Sequence, residues 1–293
     1  KMIVAQHSFG IPCDIDIIQK IAKKNNIFLL EDCALTLGSK LNHITCGNFG
    51  DAALFSTDHT KLINTLTGGL IYTKNDTFYK KLKKTQSISL NLPIIKQKML
   101  MEEFLFEYKY YNPENSKKIR LLSGIKNRLR PKFNPFLTDE FGTNLNSSYP
   151  FPAKLPSFLA YIGLLEIKKW KYTSSLRIKN SRTIISSLSK IFGEEKFKIY
   201  FDKKRDIIPQ RIVFITSTKE KLIPKIRKYI DVSYTWFENP IVGSTEPLEN
   251  FQYSNNCPDS EILGRKIINL PCNFNKDYLD FILKKLVPLL NKI

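Results

Sequence analysis

The stretch MIVAQHSFGIPCDIDIIQKIAKKNNIFLLED, residues 2–32, decides the fold. Two short apolar runs, IVA at 3–5 and IFLLE at 27–31, have the length and the polar boundaries of buried strands. Between them Ile17, Ile18, Ile21 and Ala22 recur at helical spacing over 14–25, with Asp14 placed to cap the first turn. Strand, helix and strand in that order predict a parallel α/β sheet. The runs AALFS at 52–56 and LIYT at 70–73 extend it.

Further along, 76–86 reads as a short basic helix. From about 87 to 148 the pattern degrades, and seven basic residues fall between Lys117 and Lys132 with no acid among them. This segment is expected to be an insertion, packed onto the core by Phe104, Phe106, Tyr108, Tyr110 and Tyr111. Its basic stretch is a solvated surface, a clamp for phosphates or a neighbouring subunit, or a membrane or nucleic-acid patch. Helical periodicity returns over 157–191 through Leu159, Ile162, Gly163, Ile167 and Trp170. A second α/β unit follows: strands at 211–216 and 266–270, an aromatic stretch at 234–237, and helices at 219–229 and 276–290. The expected organisation is a large domain over 1–155 with its insertion, a connecting helix over 156–190, and a small α+β domain over 191–293.

Composition narrows the function classes. With 42% hydrophobic and 25% charged residues in 293, the chain fills a core, and no apolar run reaches the roughly 18 residues of a membrane span. A net charge of +19 favours anionic partners, although a lysine-rich, A/T-biased composition accounts for much of it. Five cysteines, an odd number without a CxxC pair, point to a reduced cytoplasmic setting. Three scattered histidines predict no metal centre. No nucleic-acid-binding signature accompanies the charge. Residues 1–10 do not read as a signal peptide, and because a strand follows Lys1 directly, an N-terminal portion of a longer protein is expected to precede it.

Asp32 closes an apolar strand, where open α/β sheets gather ligands, though a helix cap explains an acid there equally. Lys61 follows the hydroxyl-rich turn of Ser56, Thr57 and Thr60. Such a lysine can form a Schiff base with a carbonyl cofactor while hydroxyls hold a phosphate, or it is an ordinary surface lysine. Neither GxGxxG nor GxxxxGK[ST] follows a strand, which disfavours a Rossmann dehydrogenase and a P-loop enzyme.

Taken together, QHSFGIPCDIDII (6–18), LLEDCALTLGS (29–39), GNFGDAALFSTDHTK (47–61), TGGLIYTKND (67–76) and CPDSEILGRKIINLPC (257–272) resemble the ordered signatures of the DegT/DnrJ-type (StrS-like) sugar aminotransferases. The resemblance implies a pyridoxal-phosphate-dependent transferase of fold type I, with a mostly parallel central sheet and a smaller C-terminal domain. It implies transfer of an amino group from an amino acid, glutamate by resemblance, to a nucleotide-linked keto sugar for polysaccharide or glycoconjugate synthesis, in a homodimer. Carried over by position, Lys61 matches the lysine that holds the cofactor covalently, Asp32 the acid on its ring nitrogen, Ser56 the serine on its phosphate, and Ala34 the small residue against its ring. Lys154 falls near the position of an arginine that reaches the partner subunit's phosphate.

The chain departs from that pattern at Leu35, where a glutamine is common, at 57–59 before the lysine, and at Pro152, which cannot donate a hydrogen bond. The family's preceding Gly-Thr phosphate turn and stacking aromatic are not in this sequence. Two alternatives therefore stand beside amino transfer: a non-catalytic or regulatory relative, and a sugar dehydratase. Dehydratases of this type generally replace the lysine by histidine, whereas Lys61 is kept. His59 is read as a scaffold residue.

Overall fold

The computed structural model describes residues 1–110, 122, 153–230, 232, 253–254 and 256–291. The basic stretch at 117–132 apart from Leu122, the aromatic stretch at 234–237, and Tyr111 and Pro152 lie outside them.

The opening strand–helix–strand forms as its pattern predicts. β1 (Met2–Gln6) crosses through α1 (Ile15–Lys24) to β2 (Phe28–Asp32), which pairs parallel to it with Ala5 opposite Glu31. Ile15 and Ala22 are the buried residues of α1. They meet Ala5, Leu29, Leu41 and Phe49 in one cluster, with Ile18 partly buried against it. Ile17 and Ile21, expected on the same face, are 54% and 50% exposed. Asp14 precedes α1 but makes no side-chain cap. Its carboxylate instead pairs with Arg205, which also holds Asp202 and donates to the Pro12 carbonyl at 3.1 Å. A long-range ion pair thus displaces the local cap.

The hairpin strands β3 (Lys40–Leu41) and β4 (Ile44–Thr45) lead into β5 (Ala52–Ser56), parallel to β2. Next comes β6 (Gly69–Tyr72), antiparallel to β5, so the sheet order is β1-β2-β5-β6. The helices α2 (Asp76–Ile88) and α3 (Ile94–Tyr110) follow. The second of these occupies the expected insertion. Leu100 is its buried residue, and of the aromatics Phe104 packs on the core while Tyr108 stays 78% exposed.

The long helix α4 (Ser157–Phe192) enters two cores. Near its start Leu159 joins Leu66, Leu92 and Leu100, and near its end Ile184, Ile185 and Leu188 join the C-terminal cluster. Between these ends Arg177 donates to the Gln210 carbonyl at 3.1 Å, and Asn180 donates to the carbonyls of Cys272 at 3.0 Å and Phe274 at 2.7 Å. These buried polar groups are tolerated because their donors are matched to backbone acceptors.

A 3-10 helix (Glu194–Phe201) precedes β7 (Arg205–Asp206), which pairs antiparallel with β3. β8 (Ile212–Ile215), α5 (Lys219–Ile226), α6 (Pro258–Lys266), β9 (Ile267–Leu270) and α7 (Lys276–Leu290) complete the described chain, with β8 and β9 antiparallel. Phe197, Leu222, Ile226 and Ile268 fill this cluster. No helix among the described residues is long and apolar enough to cross a membrane.

Candidate functional site

Parallel pairing sets Asp32 opposite Leu54, so the carboxyl ends of β2 and β5 lie on one edge of the sheet. Side chains paired across strands share a face, and those two apart along a strand repeat it. Asp32 and Ser56 therefore point to one face, Glu31 and Ala53 to the other. Asp32 is half-buried, and its Oδ1 accepts the Ala34 N–H at 2.9 Å. Its second oxygen makes no hydrogen bond among the described residues. Ser56 Oγ accepts a long contact from the Asp58 N–H at 3.4 Å, which leaves its O–H to donate elsewhere.

Lys61 sits, half-buried, in the loop that follows, its N–H donating to the Asp58 carbonyl at 2.9 Å. Three bonds close that loop: Thr57 N–H to the Gly68 carbonyl at 3.0 Å, Thr65 N–H to the Thr57 carbonyl at 2.8 Å, and the two threonine hydroxyls at 2.6 Å. Leu66 is fully buried at a φ of 69°, a strained conformation for a leucine and one that clusters at functional sites. Gly68, at a φ of 130°, has no room for a side chain: a Cβ would come within 2.9 Å of Thr57 Oγ1 and 2.7 Å of Leu155.

Gln210 was not foreseen. It donates through Nε2 to the Thr60 carbonyl at 3.0 Å, one residue from Lys61, while its buried Oε1 has no hydrogen-bond partner among the described residues. A carbonyl only accepts, so the amide must face Thr60 with its NH2, and the bare oxygen follows from that. Sequence order hides the contact across 150 positions.

His59 Nδ1 lies 2.5 Å from Asp58 Oδ1. Burial pushes the imidazole down, but the hydrogen bond and charge of Asp58, with Glu107 behind it, outweigh burial and the nearby Lys61 and hold it above its ordinary 6.5. A raised folded-state value means that the proton stabilises the fold. That contribution is whole below about pH 6.5 and fades as pH rises through the folded value. Asp58→Asn is expected to lower the His59 midpoint in an NMR titration. Its stability deficit should be largest below pH 6.5 and shrink in alkaline buffer; an unchanged midpoint would mean that Asp58 does not hold the proton.

On the opposite face, Glu31 is fully buried and accepts from the N–H groups of Gly47, Phe49 and Gly50 at 2.7 Å each and from His7 Nε2 at 3.2 Å. The ligand atoms of His7, Glu31 and Cys33 lie within 4.8 Å of one another. The Glu31 oxygens are already engaged by four donors, however, and burial pushes the Cys33 thiol far up, away from the thiolate a metal would need. The cluster is built as a loop anchor.

Of the remaining residues, Lys154 is half-buried, with its N–H on the Leu90 carbonyl at 2.8 Å, and is followed by Leu155, which borders Gly68. Leu35 is buried against Phe9 and brings no polar group to the site.

Asp32 and Ser56 thus share one face at the carboxyl ends of β2 and β5, and the loop that carries Lys61 leaves β5 at that edge, with Gln210 bonded to its Thr60. The most similar curated relatives include the GDP-perosamine synthase of Escherichia coli O157:H7, 42% identical over 79 residues, which cover 27% of this chain and 22% of that protein. Among solved structures, an aminotransferase from Psychrobacter cryohalolentis superposes with a TM-score of 0.66 at 17% identity, over 100% of this chain and 69% of that one. The aminotransferase TlmJ from Streptoalloteichus hindustanus gives 0.67 at 13%, over 100% and 66%. The chain thus spans about two thirds of the solved chains, and its aligned stretch about a fifth of the curated relative. These likenesses assign the fold of the type I transferases. A family model matches residues 1–280, and the chain belongs to the DegT/DnrJ/EryC1/StrS aminotransferase family.

Proposed function

We propose that the chain is a pyridoxal-phosphate-dependent aminotransferase that passes an amino group from an amino acid, glutamate in the first instance, to a nucleotide-linked keto sugar. The observation that carries this reading is the convergence of Asp32, Ser56 and the Lys61 loop at the carboxyl ends of two parallel strands in a member of this family. Similarity to GDP-perosamine synthase supports a nucleotide sugar as the acceptor.

Pyridoxal 5′-phosphate, when bound, supplies an electron sink for a substrate losing a proton from carbon. The open oxygen of Asp32 keeps the ring nitrogen protonated, and the Ser56 hydroxyl donates to the phosphate. Ala34, small and half-buried, leaves room for the ring. Lys61 holds the cofactor covalently at rest and, as a free amine, moves the proton of the substrate carbon. Lys154 adds a cation near a phosphate. Two lobes meeting near residue 190, a homodimer and a cytoplasmic setting complete the proposal.

Borohydride reduction with added pyridoxal phosphate is expected to fix one cofactor mass on the peptide that contains Lys61, as read by mass spectrometry. Labelling confined to other lysines, or none, sinks the assignment.

A further inference from the structure

The second half of α4, the segment from Arg205 to Pro209 and the loop at 38–40 enclose a groove of about 900 Å³, large enough for a small-molecule ligand. On α4, Arg182, Ser186, Ser189 and Lys190 line it together, because positions four, seven and eight residues on from Arg182 return to the same helical face. Arg182, Lys190 and Lys40 reach it without an ion pair among the described residues. A fourth cation, Arg205, is matched by Asp14 and Asp202. Lys190 stands in the last turn of α4, where it offsets the negative end of the helix dipole. Ser189 carries a buried hydroxyl with no hydrogen-bond partner among the described residues. Two carboxylates, Glu194 and Asp206, and the ring of Phe201, which is 64% exposed, also line the groove.

A bare phosphate does not account for this set, since two acids would repel it and an aromatic ring would give it nothing. A nucleoside phosphate gives the cations, the two acids and the ring each a partner. We propose that the groove binds a nucleoside 5′-phosphate: Arg182 and Lys190 take the phosphate, Glu194 and Asp206 accept from ribose hydroxyls, and the base stacks on Phe201. The site is separate from the Lys61 loop and does not depend on amino transfer.

Calorimetric titration of the full chain, without pyridoxal phosphate, with UMP and GMP tests it, with uridine and inorganic phosphate as control arms. At least one nucleotide should bind about tenfold or more tightly than either control. The double variant Arg182→Ala/Lys190→Ala should weaken it by about tenfold or more, and Phe201→Ala by a smaller factor. All three side chains are exposed, so the melting temperature and the Lys61 labelling above should not move. Nucleotide binding that survives the double variant overturns the proposal, as does phosphate binding as tightly as the nucleotides, or no binding at millimolar concentration.

Discussion

Lys61→Ala is expected to give a protein that stays colourless with pyridoxal phosphate and releases 2-oxoglutarate from glutamate at least about 10³-fold more slowly, since both the covalent anchor and the proton carrier are gone. The variant should fold normally. Lys61 contributes a backbone N–H to its turn, which alanine keeps, and the loop is closed by Thr57, Thr65 and Gly68. With those backbone bonds kept, removal of a half-buried lysine is expected to cost about 1 kcal/mol or less. A drop in turnover with a nearly unchanged melting temperature therefore isolates the chemistry. Retention of the visible band or of oxoglutarate release would place the reactive amine elsewhere.

The second large effect falls on stability. Glu31→Ala strips one acceptor from three backbone N–H groups and from His7 at once, in a fully buried setting. Each buried donor left bare costs about 1–3 kcal/mol, and losing one partner of a buried charged network about 3–5 kcal/mol. That is a large share of the roughly 5–15 kcal/mol that holds a domain together. Urea denaturation should show the midpoint falling accordingly; a wild-type midpoint would mean that another group holds the 47–50 turn. Burial pushes the Glu31 carboxyl up, but His7 and the three amides outweigh it and leave it below 4.5. This contribution is thus complete above about pH 4.5 and is lost as pH falls through the lower folded value, so the deficit of the variant should narrow in acid.

Strands β1, β2, β5 and β6 were legible because each is a short apolar run between turn residues, and α4 and α7 because their apolar residues keep a helical period. The helix α3 was not, since Ile94, Ile95 and Leu105 face solvent while Leu100 is buried, and no stripe survives to be read. At the site, Asp32 closes one apolar strand and Lys61 follows the hydroxyl-rich end of another, and the family resemblance added Ser56. Glu31 is not singled out by its sequence context, although the alternation of a strand sends it and Asp32 to opposite faces. Gln210, Arg177 and Asn180 were invisible for another reason: each is polar and buried, and the acceptors that make burial tolerable come from distant segments.

The anchoring of α4 has a mechanical corollary. At 1.5 Å per residue its 36 residues run about 54 Å, and the Arg177–Asn180 bonds clamp it beyond its midpoint, leaving an arm of roughly 30 Å toward Ser157. A tilt of about 5° around that clamp carries the arm's tip by roughly 3 Å. The tip adjoins Leu155, which rests on Gly68 and so on the loop of Lys61. A small rotation of the C-terminal layers is thereby geared up into a displacement comparable to the reach of a hydrogen bond at the loop that carries Lys61.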